Sequence, residues 1–576
     1  MSTIFLFRGK KSNFLKKLVQ IRNSKVLAPY FNYIEKKWNS LNNFKKGSLL
    51  IMLTWGGFFA FIFPRMLFRN ELGIYAGWVN VWGDWSAHFA YAMPFAYRPI
   101  GEWFSSFPLL INHPFSYSFL ADGITGLMIR FGFSEITAFW FSSLIFTLLM
   151  LWIIYKFFYF YFKSVKSSFL AITLFLMGGG WGFVFFLEDL KKGLANWSFF
   201  PREYTHIEVE GIRWINVITS EIIPQRSFAL GLALTLFILF QWSLWKKIKF
   251  KNVSPIKIFG LGIVSGFMPI VHAHSLFALF ICGVSFFLYD LRHWKKWILF
   301  ALGSASSFAL VYFFFRFGSN SESFFKWHLG WLANEKPFNG NILMFWLWNW
   351  GLFIPLSLLS IWKTRFYKEP LFLSGVTLFI LSNLFLFQPW PWDNSKILTY
   401  AYLFFCLPII LWFSKLIKER KSVSVFIFSI LFISLIFSGG LDLYRLTKTD
   451  KLQFQMWSND DLKLVADFKA MSKPGDIVLT SDRHNHPITT HTGAQILMGY
   501  RGWLWTYGME YGTVEKDVLA MYQGGKQAQT LFEKYNVKYA VIGLSEKKNF
   551  NINEKFFLDN YPLIIKSSEY KIFKLQ

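Results

Sequence analysis

The apolar residues of this chain come in blocks about 17–25 residues long, and that spacing constrains the fold more than any motif does. A helix of about 20 residues crosses a bilayer core roughly 30 Å thick. Eleven such blocks lie near 48–66, 136–161, 168–187, 227–245, 256–271, 275–291, 297–316, 341–362, 370–387, 397–413 and 423–439. In a chain of 576 residues, 54% are hydrophobic, 21% aromatic and only 16% charged. A soluble protein of this length carries more charge. The sequence therefore predicts a polytopic α-helical membrane protein with about 11 spans.

The formal net charge of +27 raises the question of a nucleic-acid partner. The placement of the charge answers it. Lys and Arg gather between the apolar blocks, at Lys163 to Lys166, KKIKFK at 246–251, RHWKK at 292–296, KTRFYK at 363–368 and KLIKERK at 415–421. Short basic loops of this kind mark the cytoplasmic side and meet anionic lipid headgroups. Membrane lipids, not nucleic acid, are the partners that this charge implies. The basic loops alternate with the spans, so all of them fit on one side. That places the N-terminus in the cytoplasm and everything after Gly440 outside a plasma membrane. The segment 1–47 reads either as a basic amphipathic stretch on the inner leaflet or as a tail. It lacks the continuous apolar run of a secretory signal. Cys282 and Cys406 fall inside apolar blocks and read as packing residues, too few for a disulfide framework.

The opposite side collects the unusual segments. They are the long first outer loop 67–135, the loop 188–226, HAHS at 272–275, residues 319–340 and QPWPWDNSK at 388–396. Within the first, VWGDWSAHFAY at 81–91 sets Asp84 and His88 four residues apart. On a helix they share a face, one turn apart. Such a pair can share a proton, bind a divalent cation with further ligands, or simply hydrogen-bond. NHPFSYSFLADG at 112–123 carries His113 before a helix-breaking Pro114. SEIIPQRSFALG at 220–231 brackets a proline with Glu221 and Arg226. Arg226 either forks onto a phosphate or snorkels to headgroups. In HAHS, His272 and His274 fit hydrogen bonding inside a polar mouth better than they fit a metal. Asp393 and Lys396 open a span beside Trp390 and Trp392, and Lys396 would sit at the depth of a lipid-linked phosphate.

After about residue 442 the apolar runs shrink to strand length, at 476–481, 539–544 and 562–575. Helical segments at 461–471 and 514–535 alternate with them. A small extracytoplasmic α/β domain over 441–576 follows. Its aromatic run at 503–507 places Trp503 and Trp505 either against sugar rings or against the membrane domain.

GDWSAHF at 83–89 and NHPFSYSFL at 112–120, on this layout, resemble integral-membrane glycosyltransferases of the GT-C fold. That group includes the protein O-mannosyltransferases and the aminoarabinose lipid A transferases. The resemblance covers 48–440 as architecture. It implies a polyprenyl phosphate or diphosphate sugar donor, a glycan, lipid or protein acceptor, and inversion at the sugar. It gives Asp84 the acceptor-activating or metal-binding role, with His88 in support. Arg226 and Lys396 would offset charge on the phosphate, with His113, Glu221, His272, His274 and Asp393 around them. Many relatives carry two adjacent acids. Here Trp85 follows Asp84, which leaves use of a divalent cation such as Mg or Mn unresolved. The competing class is a transporter or flippase of lipid-linked saccharides, whose marks are charges buried mid-span and inverted repeats.

Overall fold

The computed structural model describes residues 36–248, 250–315, 325–418 and 422–576. Most of the basic N-terminal segment lies outside them. Among the described residues, six helices are long and apolar enough to cross a membrane: Asn43–Met66 (α1), Glu135–Phe162, Arg226–Lys247, Leu291–Phe315, Pro391–Lys418 and Ser422–Leu446. A further pair, Ile342–Asn349 and Phe353–Thr364, makes a seventh if it is one span bent by 90°. Four shorter apolar helices, Val165–Met177, Pro255–Val271, Ala273–Tyr289 and Pro370–Leu384, complete the bundle. Each apolar block of the sequence is thus helical.

The departures have local causes. The block expected at 168–187 ends as a helix at Met177, because Gly178 to Gly180 let two backbones meet. A Cβ on Gly180 would collide with the carbonyls of Trp348 and Asn349. The block at 341–362 is broken where Gly351 turns with φ 57°, a conformation that favours glycine. The helix Glu135–Phe162 opens on Ser134, whose side chain accepts from the Thr137 N–H, and Ala273–Tyr289 opens on His272. Both are N-caps that satisfy an orphan donor of the first turn.

The stretch 67–135 is a built structure. Leu67–Asn70 (β1) and Gly73–Ala76 (β2) form a hairpin, and Phe454–Ser458 (β3) adds antiparallel to β2. Val79–Tyr97 (α2) then packs against Leu120–Arg130 (α3) and is buried from Trp85 to Ala96. Gly126 makes this contact possible, since a Cβ there would strike the Ala92 carbonyl and the Phe95 side chain.

The C-terminal residues form a five-stranded sheet from Ile477–Leu479 (β4), Gln495–Ile496 (β5), Val537–Ile542 (β6), Leu563–Lys566 (β7) and Lys571–Lys574 (β8). The spatial order is β5-β4-β6-β8-β7. The first three strands are parallel, and β8 is antiparallel to both of its neighbours. Helices Asn459–Met471, Gly512–Gln523 and Gly525–Tyr535 accompany the sheet. The expected helix 514–535 divides at Gly524, with φ 79°. This sheet is docked on the first loop. The buried Arg98 at the end of α2 donates from Nε to the Gly493 carbonyl at 2.6 Å and from Nη2 to the Ala494 carbonyl at 3.0 Å. The Ile111 N–H donates to the Leu497 carbonyl at 3.0 Å.

Candidate functional site

Where α2, the first loop, the segment before Arg226, the His272 turn and the 387–396 turn converge, they enclose a cavity of about 950 Å³. Residues 500–507 of the C-terminal region close part of its wall. Sites of a few hundred to about 1,000 Å³ hold most small ligands.

Asp84 lines this cavity. It lies on the first half of α2, where the chain has just turned out of the β hairpin, and its side chain is half-buried. Its Oδ2 accepts from Gln225 Nε2 at 3.1 Å. Burial raises its pKa above the usual carboxylate range, and His88, Lys396 and the Gln225 hydrogen bond oppose that rise. Across the cavity, Lys396 donates to Asp393 Oδ1 at 2.8 Å. Both side chains are little exposed, at 12% and 13%. A pair screened this way from bulk water keeps more of its attraction than a surface pair. Glu221 accepts from Ser395 Oγ at 2.7 Å, and its Oε2 has no hydrogen-bond partner among the described residues. Burial pushes the Glu221 carboxyl up to about 7 against the pull of Lys396 and Ser395.

No family model matches the chain, and no curated protein does. Solved structures do. The oligosaccharyltransferase of Archaeoglobus fulgidus, tethered with an acceptor peptide containing the NVT sequon, matches 87% of this chain and 69% of its own, with 11% identity and a TM-score of 0.49. ArnT from Cupriavidus metallidurans in the apo state matches 92% of this chain and 97% of its own, with 9% identity and a TM-score of 0.47. The same ArnT bound to undecaprenyl phosphate gives a TM-score of 0.43 at 9% identity.

The other residues singled out from sequence divide into those that reach the cavity and those that do not. His88 reaches it, but its Nδ1 pairs with Asp122 Oδ2 at 2.9 Å instead of with Asp84. His272 and His274 line it. His272 Nδ1 meets Ser275 Oγ at 2.7 Å and accepts from the Ser275 N–H at 3.3 Å, so that ring nitrogen serves the helix cap. Trp503 and Trp505 line the cavity from the helix Arg501–Thr506. Arg226 does not. Its side chain is fully buried, with Nη1 on Asp122 Oδ1 at 2.7 Å, Nε on Ser143 Oγ at 2.9 Å and Nη2 on Ser142 Oγ at 2.6 Å and on Thr125. A guanidinium so engaged has no edge left for a phosphate. His113 also lies off the cavity, its Nδ1 at 2.8 Å from the Pro114 carbonyl oxygen, and burial lowers its pKa.

Asp122, Gln225 and Ser395 were not singled out from sequence. Asp122 had a signal: it is an acid within the apolar run FLADGI, where an unpaired carboxylate would cost several kcal/mol. Gln225 and Ser395 are ordinary interfacial residues in sequence, and only the fold brings them to the acids. Among the described residues no group of three or more His, Cys, Asp or Glu side chains is arranged to hold a metal ion. Asp84, Glu221 and Asp393 each meet a protein partner, Gln225, Ser395 and Lys396 in turn.

Proposed function

We propose that this chain is a membrane glycosyltransferase that moves a sugar from a polyprenyl phosphate or diphosphate donor to an extracytoplasmic acceptor, with inversion. The observation that carries this reading is the cavity itself. It sets the Asp84 carboxylate, the Lys396 ammonium and an aromatic wall around one space at the end of an apolar helix bundle. In this reading residues 1–47 are cytoplasmic, 48–440 cross the membrane about eleven times, and 441–576 lie outside.

Each group then has work suited to its chemistry. Lys396 meets the donor phosphate and offsets the charge that builds as the C1–O bond breaks. One such contact contributes about 3 kcal/mol in comparable sites. Asp393 holds that ammonium in place, and Ser395 fixes Glu221 beside it. Asp84, with one oxygen on Gln225, turns its other oxygen toward the acceptor and orients its nucleophilic atom against C1. Placement of this kind lowers a barrier by supplying in advance the entropy of bringing reactants together. Trp503 and Trp505 offer flat faces on which sugar rings stack.

The test is turnover in lipid nanodiscs with a panel of polyprenyl-phosphate sugars, read as released polyprenyl phosphate. Wild-type protein is expected to release it. Asp84→Asn, which keeps size and loses charge, is expected to fold and to release none. Full release by the Asn variant removes Asp84 from the chemistry. Sugar-lipid carried across the bilayer without cleavage would point to a flippase instead.

A further inference from the structure

Three buried polar groups run back from the cavity wall. His88, Asp122 and Arg226 form a continuous line from the cavity into the bundle. His88 stands on α2 with its side chain 3% exposed, and the Asp122 and Arg226 side chains are fully buried. Asp122 bridges the other two, Oδ2 on His88 Nδ1 at 2.9 Å and Oδ1 on Arg226 Nη1 at 2.7 Å. Arg226 is in turn pinned by Ser142, Ser143 and Thr125, from two other helices.

This geometry dictates a tautomer. A carboxylate that bridges a guanidinium only accepts hydrogen bonds, so His88 Nδ1 carries a hydrogen, and in the neutral ring Nε2 is then the nitrogen with the lone pair. Nδ1 is committed to Asp122, so Nε2 is the ring nitrogen left for a ligand in the cavity that His88 lines. Burying three such groups is costly unless each is paired. Here each is paired on the side away from the cavity.

We propose that His88 Nε2 is the proton acceptor for the incoming nucleophile, and that Asp122 and Arg226 are its positioning residues. The proposal rests on the glycosyl-transfer reading. The acceptor's O–H or N–H proton moves to Nε2 as its heteroatom bonds to C1. The C1–O bond to phosphate breaks, and its electron pair leaves with the phosphate. The imidazolium that results faces Asp122 and later returns its proton to water. Asp84, one turn earlier on α2, orients the nucleophile and does not take the proton.

The experiment joins a spectroscopic readout to a kinetic one, on full-length protein in nanodiscs. Nitrogen-15 histidine spectra at pH 8 are expected to show His88 protonated at Nδ1. In Asp122→Asn the amide oxygen must face Arg226, so its NH₂ faces His88 and drives the hydrogen to Nε2. Donor turnover should then fall by about 10²–10⁴-fold in kcat, the range for loss of a general base, with KM for the donor changed only several-fold. His88→Gln leaves the Asp122–Arg226 pair intact and covers the case in which the Asn variant fails to fold. It is expected to lose turnover to the same degree. An Nε2–H tautomer in wild-type protein, or turnover by His88→Gln within threefold of wild type, overturns the proposal and leaves glycosyl transfer standing. Absence of turnover by wild-type protein overturns the glycosyl-transfer reading itself, and with it any proton-acceptor role for His88.

Discussion

At the scale of single residues, one acid and one ammonium, Glu221 and Lys396, set the behaviour of the cavity. The Glu221 carboxyl holds its proton up to about pH 7 in the fold and loses it near 4.5 when unfolded. The folded state therefore binds more protons between those values, and stability falls as pH rises through that window. The whole effect is at most about 3 kcal/mol, at about 1.4 kcal/mol per pH unit. Thermal unfolding between pH 5 and 8 should show a Tm that declines with pH, and Glu221→Gln should flatten that slope. A second expectation concerns the ammonium. Lys396→Met should weaken binding of polyprenyl phosphate by about 10²-fold, the equivalent of about 3 kcal/mol, as measured by displacement of a fluorescent lipid phosphate. Asp84, His88, Glu221, Lys396 and Asp393 were legible in the sequence as polar groups stranded in apolar surroundings. Their pairing was not. Asp84 and His88 share a helix face, yet His88 is held by an acid 34 residues further along, and helical spacing cannot show which long-range partner wins. Arg226 carried the same ambiguity and resolved inward, because Asp122, Ser142 and Ser143 supply the acceptors that a phosphate would have offered.

At the scale of elements, block length decided the helices and glycines decided where they stop. Each apolar block of the sequence is helical, and those at 168–187 and 341–362 are each broken into a pair of helices. The tripeptide Gly178 to Gly180 and the turn at Gly351 end them early or bend them, through close backbone approach and left-handed φ that block length does not encode. The long loop 67–135 hid its order for another reason. Its helix α2 is buried all round from Trp85 to Ala96, so it does not show the amphipathic period that marks a helix at a surface. Gly126 is the contact between α2 and α3. Gly126→Ala should force α3 away from α2 at a cost of about 1–3 kcal/mol, as overpacking does. It should also pull Asp122 from His88. Loss of the Nδ1–H signature of His88 in a variant that still folds would be the readout, and an unchanged signature would contradict the packing argument.

For the whole molecule, the C-terminal sheet and the first loop act as one cap on the bundle. β3 joins the β1–β2 hairpin across nearly 400 residues of chain, Arg98 holds the carbonyls of Gly493 and Ala494, and His491 pairs with Glu135 at the head of a membrane helix. The composition change near residue 442 was legible, but this docking was not, because the backbone carbonyls that Arg98 meets are ones every sequence supplies. Arg98→Met should leave those carbonyls unpaired, at about 1–3 kcal/mol for each buried group. Amide exchange in β5 and its flanks should quicken while the membrane helices stay protected. Equal protection of β5 in wild-type protein and in Arg98→Met would mean that the cap is held elsewhere. The central claim is that the cavity walled by Asp84 and Lys396 receives the phosphate of a polyprenyl carrier. The most direct measurement is a cryo-electron microscopy map of the protein in nanodiscs saturated with polyprenyl phosphate. The account predicts phosphate density within hydrogen-bond reach of Lys396 Nζ, with the lipid tail leaving between apolar helices. Phosphate bound elsewhere on the bundle, with none in this cavity, would contradict it.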